Sequence, residues 1–84
     1  MAITIRYFAA AKSATGVGQQ SFDGAGRTIG ALLEQTASSA PDAATTAAVF
    51  ARCSFLLNGQ ATTDRAVTLA DGDLLDVLPP FAGG

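Results

Sequence analysis

The two ends of the chain carry its most regular strand patterns, and that placement limits the available folds more than any other feature. Near the start, Ala2-Ile3-Thr4-Ile5-Arg6-Tyr7-Phe8 sets Ile3, Ile5 and Tyr7 against Thr4 and Arg6. Alternation of this kind describes a strand with one buried face. Near the end, Leu74-Leu75-Asp76-Val77-Leu78 is a second strand run. Pro79-Pro80 must terminate it, since neither proline can donate to a ladder. Both runs are apolar enough for the middle of a sheet. A chain of 84 residues makes one domain, with roughly 60% of its unfolded surface buried on folding. The simplest core sets the two end strands side by side and parallel, with hairpins outward and a helix across one face.

The segments between them fit that plan. Ala9 to Gly18 is small and Gly-bearing, which predicts a loop or a short helical turn. Gln19 to Asp23 reads as a strand forming an antiparallel hairpin with the first, and Gly24-Ala25-Gly26 breaks it. Thr28 is an N-cap for a helix whose stripe is Ile29, Leu32 and Leu33 and which runs to about residue 37–39. Ala40-Pro41-Asp42 ends it. A second short helix follows, with a weak apolar face of Ala44, Ala47, Ala48 and Ala51 that Val49 and Phe50 interrupt. Cys53 to Leu57 is a dense apolar run, and Asn58-Gly59 after it is a strong hairpin signal because both residues accept positive φ. A short strand over Gln60 to Thr62 completes the hairpin, and Asp71-Gly72-Asp73 is a further turn. The expected class is α+β, a mixed sheet of four to five strands, with residues 1–78 as the domain and 79–84 as an extended tail.

Composition excludes several kinds of function. Five basic residues face seven acidic ones, so the chain lacks the basic stripe that nucleic acid or an anionic membrane requires. Arg6, Lys12 and Arg27 stand against Asp23 in the first 30 residues, and the rest holds Arg52 and Arg65 against six acids. There is no His, which removes the usual general base and the usual zinc ligand. Asp71, Asp73 and Asp76 do not have calcium-loop spacing and read as a turn with solvated acids. Gly16-x-Gly18 and Gly24-x-Gly26 lack the helix spacing of a dinucleotide fingerprint and read as turns. The single Cys, Cys53, opens an apolar strand and reads as a buried structural thiol. No metal and no cofactor is expected on this chain. No secretory pattern follows Met1, and no apolar run approaches membrane-spanning length, so a cytoplasmic setting is expected.

What remains for chemistry is the closing segment, Pro79-Pro80-Phe81-Ala82-Gly83-Gly84. Two residues without Cβ make the thinnest peptide available and can thread a narrow channel. The Gly84 carboxylate then stands unhindered at the tip, where it can be activated as an acyl-adenylate and attacked by sulfur or amine. The two prolines stiffen the stem into an extended form. Such a tail suits delivery of a carboxyl group into another protein's active site, because so thin a domain has no deep site of its own.

Five features occur in one order and spacing: Tyr7-Phe8-Ala9 closing the first strand, the Thr28-led helix with Leu32-Leu33, the Leu57-Asn58-Gly59 hairpin, Asp71-Gly72-Asp73, and Pro79 to Gly84. Together they resemble the small, sulfur-carrier subunit of molybdopterin synthase, within the ubiquitin-like sulfur carriers. The resemblance covers the whole chain and implies a ubiquitin-like β-grasp. It implies that an ATP-dependent activating enzyme adenylates Gly84 and that persulfide sulfur converts it to a thiocarboxylate. Phe81, Ala82, Gly83 and Gly84 would thread the large subunit's active site, and sulfur would pass to cyclic pyranopterin monophosphate in an assembly of two small and two large subunits. The carrier is then not catalytic alone. Carriers of thiamine and cysteine biosynthesis share the tail chemistry, and so does a ubiquitin-like modifier conjugated through Gly84 to a lysine.

Alternation also predicts a docking face. Leu75 and Val77 point to the core, which turns Leu74, Asp76 and Leu78 the other way. Phe8 is out of phase with Ile3, Ile5 and Tyr7 and should also face outward. Ala61 matches a contact position of the family. Phe8, Ala61, Leu78, Pro79, Pro80 and Phe81 are therefore the expected partner-docking residues, with Leu78 exposed.

Overall fold

The computed structural model describes residues 2–23 and 25–80. Among them are five strands and three helices in the order β1 (Ile3–Tyr7), α1 (Ala9–Thr15), β2 (Gln19–Phe22), α2 (Ile29–Ser39), α3 (Ala43–Ala51), β3 (Ser54–Leu57), β4 (Gln60–Thr62) and β5 (Leu74–Leu78). The strands form one sheet in the order β2-β1-β5-β3-β4. β5 is the middle strand, parallel to β1 with Ile5 beside Leu75 and Tyr7 beside Val77. It is antiparallel to β3, with Phe55 opposite Val77. The β1–β2 and β3–β4 pairs are both antiparallel and lie outward on either side. This is the β-grasp arrangement that the two end strands imply.

The register places one apolar row on one face. Ile3, Ile5, Tyr7, Phe55, Leu75 and Val77 are buried there together with Ala11 of α1, Ile29, Leu32 and Leu33 of α2, and Phe50 of α3. All three helices thus cover the same side of the sheet. Tyr7 stacks on Phe50 with ring centroids 6.0 Å apart, and its hydroxyl donates to Gln20 Oε1 at 2.8 Å. That bond leaves the buried phenol with a partner. α2 begins as its sequence predicts: Thr28 is extended, and its side chain accepts from the Ala31 N–H at 3.1 Å.

Three local expectations change. The segment after β1 is a regular helix, α1, closed by Gly16 at φ 80°, whose N–H donates to the Lys12 carbonyl. Its apolar side is a single methyl-sized residue, Ala11, which sequence periodicity cannot register. In α3, Ala44, Ala47, Ala48 and Ala51 are exposed, and the helix buries Thr46 and Phe50 instead. The larger side chains take the core, and Thr46 is admitted because its hydroxyl donates to the Asp42 carbonyl at 2.8 Å and the Ala14 carbonyl at 3.3 Å. Third, β3 starts at Ser54, so Cys53 precedes the strand. The expected break at Gly24-Ala25-Gly26 falls partly on Gly24, outside the described residues; Gly26 makes a turn at φ 90°.

Candidate functional site

The face of the sheet without helices presents a row that crosses four strands. Register aligns Arg6 of β1 with Asp76 of β5, Asp76 with Leu56 of β3, and Leu56 with Ala61 of β4. Leu74 and Leu78 flank Asp76 on β5, with Thr4 and Ser54 as their neighbours. Phe8 follows directly after β1, and its N–H donates to the Val77 carbonyl at 3.3 Å, which holds it beside the end of β5. Phe8 is 39% exposed, a high value for so large an apolar side chain.

The expected docking residues that lie among the described ones therefore share this face or its upper edge. Phe8, Ala61 and Pro80 are exposed. Leu78 is half-buried rather than exposed, as is Pro79, because β5 is flanked by strands on both sides. Phe81, Ala82, Gly83 and Gly84 lie outside the described residues. Leu56 is the member that sequence reasoning missed. It sits between Asp76 and Ala61, half-buried, and joins the β5 and β4 parts of the surface. Alternation within Ser54–Leu57 carries the signal, with Phe55 and Leu57 inward, but the uniformly apolar run hides it.

Asp76 is the main correction. It lies on β5, as the strand pattern predicts, but it is not the solvated acid expected of it: it is only 8% exposed. Arg6 neutralises it through a two-pronged pair: Nε donates to Oδ1 at 2.7 Å and Nη2 to Oδ2 at 2.9 Å. The bond and the charge of Asp76 both hold the Arg6 pKa above its ordinary value. The same guanidinium lies over the Phe8 ring, 5.8 Å from its centroid. Asp73 is also not a free acid. Its carboxylate accepts from the Ala70 N–H at 2.8 Å and from Asn58 Nδ2 at 3.0 Å. Among the described residues no three His, Cys, Asp or Glu side chains are gathered as a metal site.

On the opposite side, Cys53 is buried, and its Sγ donates to the Val49 carbonyl at 3.2 Å. Burial pushes the thiol pKa up, with the nearby Arg65 charge opposing in part. The guanidinium of Arg65 lies over the Phe55 ring at 5.0 Å and donates to the Phe50 carbonyl. These contacts make Cys53 and Arg65 structural. An open groove of about 580 Å³ runs between α2 and α3 over Ala31, Ala37 and Ala47. It offers no convergent set of polar groups of the kind that fixes a small ligand, and it lies on the helix side, away from the β5 exit. Among the described residues no helix is long and apolar enough to cross a membrane.

The chemistry that this geometry permits is presentation. The middle strand ends at Leu78 and continues through Pro79 and Pro80, next to an outward apolar surface with one neutralised ion pair. Among solved structures, the chain is similar to SAMP1 from Haloferax volcanii (25% identity, all of both chains, TM-score 0.78). It is also similar to the small archaeal modifier protein 1 of Methanosarcina acetivorans (20% identity, 99% of this chain and 96% of that one, TM-score 0.73). A third similar structure is a chain of the complex of subunits 1 and 2 of molybdopterin-converting factor from Helicobacter pylori (21% identity, all of both chains, TM-score 0.65). No curated protein matches the sequence. The ThiS family matches residues 5–84, from the first strand through the final Gly-Gly. On that match and this β-grasp, the chain belongs to the ThiS family of ubiquitin-like sulfur carriers.

Proposed function

We propose that this chain carries sulfur for molybdenum cofactor biosynthesis as the sulfur-donating small subunit of a molybdopterin synthase. The observation that carries the reading is positional. The central strand β5 leads directly into Pro79-Pro80, and the sequence closes at Gly83-Gly84. The root of the tail, Pro79-Pro80, is thereby set in the middle of the sheet, beside the docking face.

In this reading the Gly84 carboxylate attacks ATP on an activating enzyme, which forms the acyl-adenylate and releases pyrophosphate. The outer sulfur of a donor persulfide displaces AMP to give an acyl disulfide. A second thiol of the donor attacks the inner sulfur of that acyl disulfide, which releases the Gly84 thiocarboxylate and leaves a disulfide on the donor. The carrier then docks through Phe8, Ala61, Leu78, Pro79, Pro80 and Phe81, while Phe81, Ala82, Gly83 and Gly84 thread the large subunit's active site. The sulfur attacks cyclic pyranopterin monophosphate to form a thioester. Water cleaves the acyl–sulfur bond, which leaves the sulfur on the pterin and returns Gly84 as a carboxylate; a second carrier supplies the second sulfur. The chain supplies the reacting group, and with no His it leaves acid and base to the large subunit. The complex of subunits 1 and 2 of the Helicobacter pylori factor supports pairing with a large subunit here; the assembly proposed has two small and two large subunits and works in the cytoplasm. ATP belongs to the activating enzyme, and no cofactor is assigned to this chain.

The likeness to SAMP1 favours a second reading, in which the same adenylate passes to a lysine amine and the chain is a protein modifier. One experiment separates the two. The full chain is incubated with the cognate activating enzyme, ATP and a sulfur source, and its intact mass is recorded. A gain of one oxygen-to-sulfur exchange that is lost on deleting Gly84 is the expected result. Higher bands on a denaturing gel without that gain would assign the modifier role. Sulfur uptake by the truncated chain would overturn both.

A further inference from the structure

Arg6 occupies the middle of the outer face, and two side chains hold it there. Asp76, with a side-chain exposure of 11%, accepts from Nε and Nη2, and the Phe8 ring lies against the guanidinium. A guanidinium has five N–H donors. Asp76 takes two, and among the described residues the others have no acceptor. The Arg6 side chain is 43% exposed, so water satisfies them in the free chain.

We infer that the partner docking on this face sets a carbonyl oxygen against Arg6, which makes Arg6 a specificity-determining residue of the interface. The inference rests on the docking reading above. A partner that covers Phe8 must also cover the guanidinium lying on its ring. The N–H groups then leave water, and a donor left unsatisfied in an interface weakens it by about tenfold. A surface without an acceptor at this point is therefore rejected even if its apolar contacts fit. Charge selects the kind of acceptor. Asp76 already neutralises Arg6, so a partner carboxylate would leave one uncompensated negative charge in the interface, whereas a carbonyl leaves none. Asp76 is a positioning residue in this scheme: it fixes the plane of the fork and thereby the direction in which the remaining donors point.

The test titrates the full chain against the purified cognate large subunit by calorimetry, at low and at high salt, with thermal melts of each variant. The first variant replaces both partners, Arg6→Leu with Asp76→Leu, which removes the pair without leaving a lone buried charge. If the pair were only structural, the more apolar face would bind as well or better. With a partner carbonyl left unpaired, the dissociation constant should rise about tenfold or more, by the same factor at both salt concentrations. Arg6→Lys keeps the charge and loses the fork; it decides the matter if the double variant fails to fold, and it should bind several-fold more weakly. Equal or tighter binding by the folded variants overturns the Arg6 inference while the docking reading stands. A wild-type advantage that disappears at high salt overturns the carbonyl in favour of a carboxylate. A wild-type chain that does not bind at all overturns the docking reading, and this inference with it.

Discussion

Asn58 serves the fold through both its backbone and its side chain. At φ 51°, with Gly59 at φ 85°, it makes the tight turn between β3 and β4, which the Asn-Gly pair announces in sequence. Its Nδ2 donates to Asp73 Oδ1 at 3.0 Å, and its Oδ1 accepts from the Leu74 N–H at 2.9 Å. The hairpin tip is thereby tied to the start of β5. Nothing local in the sequence signals this tie, because its partners lie at least 15 residues away. Asn58→Gly keeps the backbone conformation and removes both bonds of the tie, and should lower stability by about 2 kcal/mol, at the usual net value of about 1 kcal/mol for each hydrogen bond. Gly59→Ala keeps the tie and strains the backbone, since an L-residue at this φ meets its own carbonyl, and should cost about 1 kcal/mol. Urea midpoints of the two variants check both values. An unchanged midpoint for Asn58→Gly would show that the side-chain bonds merely replace equivalent bonds to water.

Among the elements, α3 shows where sequence and structure part. Its alanines suggest a face by hydropathy, yet they remain exposed, because burial follows side-chain volume and Thr46 and Phe50 fill space that methyl groups cannot. β1, β5 and the β3–β4 hairpin are legible because alternation and turn chemistry are local signals. The Arg6–Asp76 pair and the place of Leu56 are not, because they depend on the register between strands that are distant in sequence. The start of α3 is local again. Asp42 is extended, and its carboxylate accepts from the Thr45 N–H at 3.0 Å and the Thr45 hydroxyl at 2.8 Å. These bonds to the charged form hold its pKa below the ordinary 3.8. A depressed folded value means that the cap's contribution is fully present above the unfolded value. It is lost as pH falls from there through the folded one. Asp42→Ala should therefore lower the melting temperature by a few degrees at pH 7, with the difference from wild type closing as the pH drops below 3.8. Asp42→Asn, also a good cap, should retain most of the stability at pH 7 and lose this pH dependence. A constant difference between Asp42→Ala and wild type down to pH 2 would mean that the carboxylate's charge plays no part in the cap.

For the molecule as a whole, the position of β5 decides when the fold can form at all. Without it, β1 and β3 have no common neighbour, and the sheet separates into the β2–β1 and β3–β4 hairpins. A two-stranded hairpin alone is marginal in water. β5 also brings Leu75 and Val77, both 0% exposed, to the centre of the core. Burying side chains of this size contributes about 1.5–3 kcal/mol each, against a total stability of about 5–15 kcal/mol for a typical domain. A chain ending at Asp73 should therefore be unfolded, with no cooperative melt by circular dichroism. A chain ending at Pro80 retains all of β5 and should melt within a degree or two of the full sequence, while it loses all sulfur uptake under the proposed function. The two truncations differ by seven residues, so the contrast separates the strand that completes the fold from the segment beyond it. A cooperative melt for the chain ending at Asp73 would show that the helices hold the two hairpins together without β5. The strand that leads into Pro79-Pro80 would then not be the keystone of the sheet, and the placement of the tail's root beside the docking face would lose its physical basis.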